Sequence, residues 1–257
     1  MREPKRGRRM PTWYVLLDGP TSDLVHVKKL FTASGFTFDE IDGKDALSAP
    51  AFEQCRDRND VIDAGMELLA SINVALRLSV FEYTGFDFYG LVEKRSDGSM
   101  HRTMLARGAA FGMSGAVAVG MSGAVAVGIA GFIGKPVRSK EERLVSLLAK
   151  NPNIADLAFA MTARPLTWGA MNTTYESVKG LMSTKASDEA KRADYQGLID
   201  RGWITQDQSN SFYKSAAYHR HGYPKIEMKG VRLMEYHEAT NLIKNLFWQM
   251  VDVMEPT

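Results

Sequence analysis

The sequence predicts an α+β protein of 257 residues, in which a domain with a small antiparallel sheet precedes an all-α bundle. Three observations predict this class. The first half has short apolar runs bounded by turn residues, whereas the second half has helical spacing, two capping boxes and no strand signal. A stretch without charged residues separates the halves. The expected divisions are a basic disordered arm at 1–12, an α+β domain at 13–107, a connector at 108–137 and a helical bundle at 138–257.

Composition is that of an ordinary globular protein. Hydrophobic residues make up 45% of the chain, charged residues 24%, and the formal net charge is +2. So small a charge does not attract polyanions to the molecule as a whole, and nucleic-acid binding would therefore require a local basic patch. The lone cysteine, Cys55, excludes an internal disulfide and a zinc ribbon. It indicates a reducing compartment, so we expect a cytoplasmic protein.

The first ten residues carry five basic side chains against one acidic one. No apolar run follows, as a signal peptide would require. Two interpretations stay open. These residues form a disordered basic arm, or translation naturally starts at Met10 and Met1 is an upstream start chosen in its place. Ordered structure is expected from Trp13.

Strand and helix signals alternate in the first half. An apolar run at 13–17 ends at Asp18-Gly19-Pro20, which is typical of a strand and a turn. Asp60 is expected to cap a long helix. Asp97-Gly98 lies between two strand-like runs and predicts a hairpin, and we expect no other hairpin with an Asp-Gly turn. The remaining predicted elements are a helix at 23–34, a strand near 36–41 and the capped helix at 60–76.

The connector contains no charged residue over 108–134, and the octapeptide Gly-Met-Ser-Gly-Ala-Val-Ala-Val occurs twice in tandem, at 112–119 and 120–127. An identical copy indicates a recent duplication, since solenoid repeats are longer and diverge. A transmembrane helix and a small-residue strand or connector both fit the length. The high glycine content disfavours the helix, so we expect no membrane association. Gly134-Lys135 is not a phosphate loop, because Pro136 follows where Ser or Thr is needed.

Six helices are predicted after residue 138. Ser139 with Glu142, and Thr205 with Gln208, form capping boxes, and Thr167 can cap a helix beginning at Trp168. The predicted spans are 139 to about 151, 154–163, 168–182, 187–201, 205 to about 218, and 234–254.

The strongest functional signal lies in residues 212–223, where His219, Arg220 and His221 are consecutive and tyrosines interleave with them. A guanidinium beside imidazoles binds phosphate, an imidazole transfers protons near neutral pH, and aromatic rings stack on bases. The candidate catalytic residues are Arg220 and His221. The candidate nucleic-acid contacts are Lys214, Tyr218, His219, Tyr223, Arg232 and His237.

Two other interpretations of this stretch stay open. Cationic side chains are favoured at the exposed carbonyls of a helix C-terminus, which would make the stretch a solvated helix end. His219, His221 and His237 could instead bind zinc, but the sequence places no cysteine or acidic fourth ligand beside them, and we expect no metal or cofactor. Aromatic residues at helical spacing elsewhere are predicted to lie in the core: Trp168, Tyr175, Phe247 and Trp248.

The chain resembles a group of uncharacterised bacterial proteins, most clearly over about residues 138–257. The shared features are a Trp-containing helix, here 168–176, a helix ending in Arg220-His221-Gly222, and a closing apolar helix through 238–246. More distantly, the bundle is similar to the HEPN superfamily, whose bundles often include metal-independent RNases. Active members have an Arg, a polar residue and several more residues before the His. Here Arg220 and His221 are adjacent, and Leu233 stands at the polar position between Arg232 and His237.

The resemblance and the basic stretch together predict an RNA- or nucleotide-binding protein with a HEPN-like bundle. Metal-independent RNA cleavage is the further hypothesis, with His221 as general base on the ribose 2′-hydroxyl and Arg220 stabilising the charged transition state. The alternative is a non-catalytic protein-interaction or assembly module, in which the bundle forms a helix-pairing surface. RNA and a second copy of the chain are the partners that these hypotheses imply.

Overall fold

The computed structural model describes residues 12–80, 82–104, 137–183, 195–221 and 232–256, except for the side chain of His221. The predicted basic arm, the duplicated octapeptide, the Ser187 cap and Tyr223 lie outside the described residues. The chain divides into two compact units, Met1–Lys150 and Asn151–Thr257. The predicted α+β class is confirmed, because the described strands all precede residue 105 and the described residues from 137 onward contain helices without strands.

The described part of the first unit contains one antiparallel sheet of five strands: Thr12–Asp18 (β1), Thr37–Ile41 (β2), Lys44–Ser48 (β3), Asp87–Lys94 (β4) and Met100–Met104 (β5). Their order in the sheet is β2-β3-β1-β4-β5. The central strand β1 pairs with β3 on one side and with β4 on the other, and its pairing with β4 shifts register between Leu16 and Leu17. The first strand matches the predicted apolar run.

Two hairpins of this sheet turn on Asp-Gly pairs. The predicted turn at Asp97-Gly98 joins β4 to β5, and this prediction is confirmed. The expectation that it would be the only one is wrong, since Asp42-Gly43 joins β2 to β3 with φ angles of 50° and 73°. The second hairpin was missed because Lys44–Ser48 contains no β-branched or aromatic residue, so its strand has no local signal.

The two faces of the sheet are buried in different ways. Helix α2, Arg58–Ser79, crosses one face closely at Gly65, where an added Cβ would lie 2.7 Å from Val15 Cγ2 and 2.9 Å from Phe88 Cε2. On the other face, Arg102 of β5 pairs with Asp42 in the turn between β2 and β3. These groups belong to opposite edges of the sheet, so their contact requires strong curvature. A cluster of buried residues lies on this curved face of the sheet: Tyr14, Leu16, Ile41, Ala46 and Val92.

Three α-helices and a short 3-10 helix at Pro50–Gln54 complete the described part of the first unit. The cap of α2 is Asp57, whose side chain accepts from the N–H groups of Asn59 and Asp60, so the predicted cap at Asp60 is three residues late. Asp60 instead accepts from Arg56. The other helices are Thr21–Leu30 (α1) and Lys140–Lys150 (α3).

Helix α3 belongs with the sheet rather than with the later helices. The predicted capping box is present, since Ser139 N–H donates to Glu142 and Glu142 N–H donates to Ser139 Oγ. The Glu142 carboxylate also accepts from Ala33 N–H at 2.6 Å, and α3 packs on α2. The second compact unit therefore begins at Asn151, thirteen residues beyond the start at residue 138 that the helical pattern suggested.

The described part of the second unit consists of five helices. Asn151 caps the first of them, Thr167 caps the helix that begins at Trp168, and Thr205 and Gln208 form the predicted capping box. Their bounds are Pro152–Met161 (α4), Trp168–Leu181 (α5), Gln196–Asp200 (α6), Gln206–His221 (α7) and Tyr236–Met254 (α8). None of the helices in the described ranges is long and apolar enough to cross a membrane.

Candidate nucleic-acid interface

Helix α7 carries most of the residues that the sequence singles out. Its buried side consists of Ser209, Phe212, Ser215 and Ala216. The Tyr175 hydroxyl hydrogen-bonds Ser209 Oγ at 2.7 Å, and the Tyr175 ring lies 4.9 Å from that of Phe212. These contacts hold α7 against α5. The helix extends to His221, three residues beyond its predicted end.

An aromatic group forms at the end of the bundle where the C-terminus of α7 meets the N-termini of α5 and α8. The rings of Trp168 and His219 stack with their centroids 4.5 Å apart and their planes 10° apart. Phe212 and Tyr236 each lie 6.3 Å from Trp168. The Tyr236 hydroxyl donates to Leu166 C=O at 2.8 Å, so the group is held from both helix ends. His219 is exposed and Trp168 is half-buried, which leaves the stack open to solvent.

Neighbours in sequence are separated on α7, because successive residues of an α-helix are rotated by about 100°. His219 lies over the buried side, on Trp168. Arg220 is exposed, and among the described residues it has no ion-pair partner. Its position on the helix aligns with that of Tyr213, seven residues earlier, which is 61% exposed. We call this pair, Tyr213 and Arg220, the tyrosine–arginine flank.

The side of α7 that faces away from the tyrosine–arginine flank, at the edge of the buried side, is tied to the start of α8. Ser211 Oγ donates to Arg232 C=O at 2.7 Å, and Ser215 Oγ accepts from Met234 N–H at the same distance. We call this pair, Ser211 and Ser215, the serine flank. The predicted contacts Lys214 and Tyr218 are both half-buried, and the Tyr218 ring meets His219 edge-on at 5.1 Å.

Carboxylates neutralise much of the basic charge beside the serine flank. Arg232 donates to Glu238 Oε1 at 2.6 Å. The backbone N–H of Glu235 and the Arg232 guanidinium lower the pKa of the Glu238 carboxyl, so it is ionised at neutral pH. The exposed His237 has its Nδ1 3.5 Å from Glu235 Oε2. Arg232 and His237 are therefore each beside an acidic group, whereas Arg220 has no ion pair with any acidic residue that the structure describes.

The structure thus brings together only part of the predicted set. His219 and Tyr218 contact each other, Arg220 lies one helical step from His219, and Lys214 is more than one turn away. The side chains of His221 and Tyr223 lie outside the described residues. Within the described residues there is no cluster of three groups that could hold a metal ion, and His219 is stacked on an indole.

Sequence reasoning missed two members of the aromatic group. Trp168 was assigned to the core on its helical spacing, yet it is half-buried and supports His219. Tyr236 carried no signal beyond its position at the start of a helix. The position of Trp168 in the first turn of a capped helix was a signal that its ring could be partly open to solvent. Its partner His219 lies 51 residues further along the chain, so the sequence did not identify the stack. Tyr175 and Phe247 are buried, as predicted.

Comparisons with protein-family models, with curated proteins and with solved structures found no match to this chain.

Proposed function

We propose that this chain binds RNA at the end of the second unit where Arg220 lies beside the open Trp168–His219 stack. One observation carries the proposal: an arginine without a described carboxylate partner stands one helical step from a solvent-facing aromatic stack. Guanidinium groups bind phosphate oxygens through charge-assisted hydrogen bonds, and aromatic rings bind the faces of unpaired bases. The combination suits a base and its adjacent phosphate.

The charges around the site favour one direction of approach. Glu235 and Glu238 lie on the side of Arg232 and His237, and they would repel a phosphate there. A phosphate is therefore expected at Arg220. In this arrangement Arg232 acts by pairing with Glu238 and holding the start of α8, rather than by contacting RNA.

Binding is tested by fluorescence anisotropy with a labelled single-stranded RNA at low salt. Arg220→Ala is expected to weaken binding by about 1–3 kcal/mol, because it removes a charge-assisted contact. Arg56→Ala is the matched control, since it removes the same charge from an 88% exposed side chain in the first unit and should leave affinity unchanged. Affinity should also fall as salt rises, because neutralised phosphates release counterions.

Two results would overturn the proposal: no binding by the folded wild-type protein, or equal losses in Arg220→Ala and Arg56→Ala. Either would leave the non-catalytic protein-interaction module as the better hypothesis.

RNA cleavage is the catalytic extension of this proposal, and the HEPN resemblance is what motivates it. In this extension His221 accepts the proton of the ribose 2′-hydroxyl and Arg220 stabilises the charge that develops at the phosphate. His221→Ala should then abolish cleavage of the labelled RNA while leaving its affinity nearly unchanged, because a general base acts mainly in the transition state. If the wild type binds the RNA but leaves it intact over long incubation, the cleavage hypothesis is wrong and the binding proposal stands.

A further inference from the structure

We infer that Tyr213 is a second base-stacking platform, so that the site takes an internal segment of a single strand rather than a mononucleotide. This inference rests on the proposed function and specifies its ligand. Among the described phenylalanine, tyrosine and tryptophan residues, Tyr213 has the largest exposed fraction, 61%. A lone exposed tyrosine is ordinary, and its placement relative to Arg220 is what distinguishes this one.

The placement follows from helix geometry. Seven residues separate Tyr213 from Arg220, which is nearly two full turns of α7, so the two side chains leave the helix on the same side about 10 Å apart. His219 precedes Arg220 by one residue and stacks on Trp168. His219 and Arg220 therefore lie beside each other at the C-terminal end of α7, and Tyr213 lies nearly two turns away on the side that carries Arg220.

This arrangement gives the site one cationic group and two aromatic platforms, one beside Arg220 and the other nearly two turns along α7. In a single strand each phosphate lies between two nucleosides, so one phosphate on Arg220 puts a base on either side of it. The base on one side meets His219, and the base on the other side extends along α7 toward Tyr213. A mononucleotide can reach one platform and the arginine, but not both platforms.

The same geometry excludes a duplex. Bases in a helix of paired strands are covered by their neighbours, so their faces are not available to protein rings. The segment that leads into Glu235 and Glu238 is tied to Ser211 and Ser215, on the side of α7 away from Tyr213, so a strand that runs along the tyrosine–arginine flank avoids these acids.

The test is competition against a labelled single-stranded RNA of about twelve nucleotides, a length within the usual footprint of single-strand binders. We expect a dinucleoside monophosphate to compete about tenfold better than a mononucleotide, and a duplex of the same sequence to compete poorly. Tyr213→Ala should weaken binding of the twelve-nucleotide RNA about fivefold or more. The loss for the mononucleotide should be clearly smaller, because a mononucleotide can still stack on the Trp168–His219 pair.

Two variants separate stacking from a structural effect. Tyr213→Phe keeps the ring and should restore the affinity of the wild type. Phe159→Ala removes an exposed ring from α4, is 44% exposed in the wild type, and should have no effect. Circular dichroism verifies that every variant is folded.

The outcomes distinguish this inference from the proposal on which it rests. If RNA binding depends on Arg220 but Tyr213→Ala binds like the wild type, the second platform is wrong and the RNA site stands. If a mononucleotide competes as well as a dinucleoside monophosphate, the inference is also overturned. If the wild type binds no RNA, both fall.

Discussion

At the scale of single residues, Asp23 shows how one buried carboxylate organises a distant loop. It lies in the first turn of α1 and is 3% exposed. Its Oδ2 accepts from the N–H groups of Thr84 and Gly85, each at 2.8 Å. Asn73 completes the network by accepting from Phe86 N–H and Tyr83 OH and donating to Phe86 C=O. Side chains from two helices thus satisfy the backbone between α2 and β4.

Asp23→Ala is expected to lower the free energy of unfolding by about 2–3 kcal/mol, because two partly buried N–H groups lose a charged acceptor. Asp87→Ala is the control: Asp87 is exposed on β4, and its loss should change stability by less than about 0.5 kcal/mol. Urea unfolding of the wild type and the two variants measures both changes in the free energy of unfolding. Equal stabilities for the two variants would show that water replaces the carboxylate at no cost.

At the scale of elements, the cap of α2 shows that a sequence can offer two suitable capping residues although the helix uses one of them. Both Asp57 and Asp60 are good capping residues, and only Asp57 accepts from the first N–H groups of the helix. Asp60 faces back to Arg56 at the helix surface. A capping carboxylate satisfies N–H groups that have no intrahelical partner, whereas an exposed ion pair contributes little.

Asp57→Ala should therefore destabilise the protein by about 1 kcal/mol, and Asp60→Ala by clearly less. Denaturant unfolding of both variants provides the measurement. If Asp60→Ala proved the more destabilising, the helix would begin later in solution than it does here.

The packing of α2 on the sheet gives the second prediction at this scale. Ala has a better helix propensity than Gly by about 1 kcal/mol. At Gly65 an added methyl would meet Val15 and Phe88 at less than 3 Å, so Gly65→Ala should be destabilising by about 1–2 kcal/mol after that gain. At Gly180, near the end of α5, none of the described neighbours outside the helix's own backbone lies within 4 Å of an added Cβ, so Gly180→Ala should be neutral or stabilising. Thermal unfolding of the pair tests the contrast, which a stabilising Gly65→Ala would contradict.

At the scale of the whole molecule, the second unit has its own core. Buried side chains of α4, α5, α7 and α8 meet within it, and its polar contacts include the Tyr175–Ser209 and Tyr236–Leu166 hydrogen bonds. A unit with a complete core can fold alone. The fully buried apolar residues of this core include Ala158, Met171, Val178, Phe212, Ile243, Leu246, Phe247 and Met250.

A fragment of residues 151–257 is accordingly expected to be helical and to unfold in one cooperative transition. Circular dichroism during urea titration measures this, with the intact chain as reference. It should also retain the RNA affinity of the intact chain, since the aromatic group and Arg220 lie in this unit. A non-cooperative transition would mean that the second unit needs the first one to fold.

The sequence by itself determined the features whose causes lie within a few residues. Capping boxes at Ser139 and Thr205, the Thr167 cap and the Asp97-Gly98 turn each depend on neighbours along the chain, and all are present. The apolar spacing likewise predicted the α+β class and the helices α5, α7 and α8 to within a few residues at each end. Local hydrogen bonds and side-chain periodicity depend on residues that are close in sequence, so they can be predicted without knowing the tertiary structure.

Only the tertiary structure decided which distant groups meet. It placed α3 on α2, curved the sheet so that Arg102 reaches Asp42, and paired Arg232 with Glu238. It also placed His219 on Trp168, 51 residues away in the chain, whereas Arg220, the neighbour of His219 in sequence, is exposed. The physical reason is that helix rotation separates neighbours, while packing joins residues far apart in the chain by burying area that no local pattern specifies.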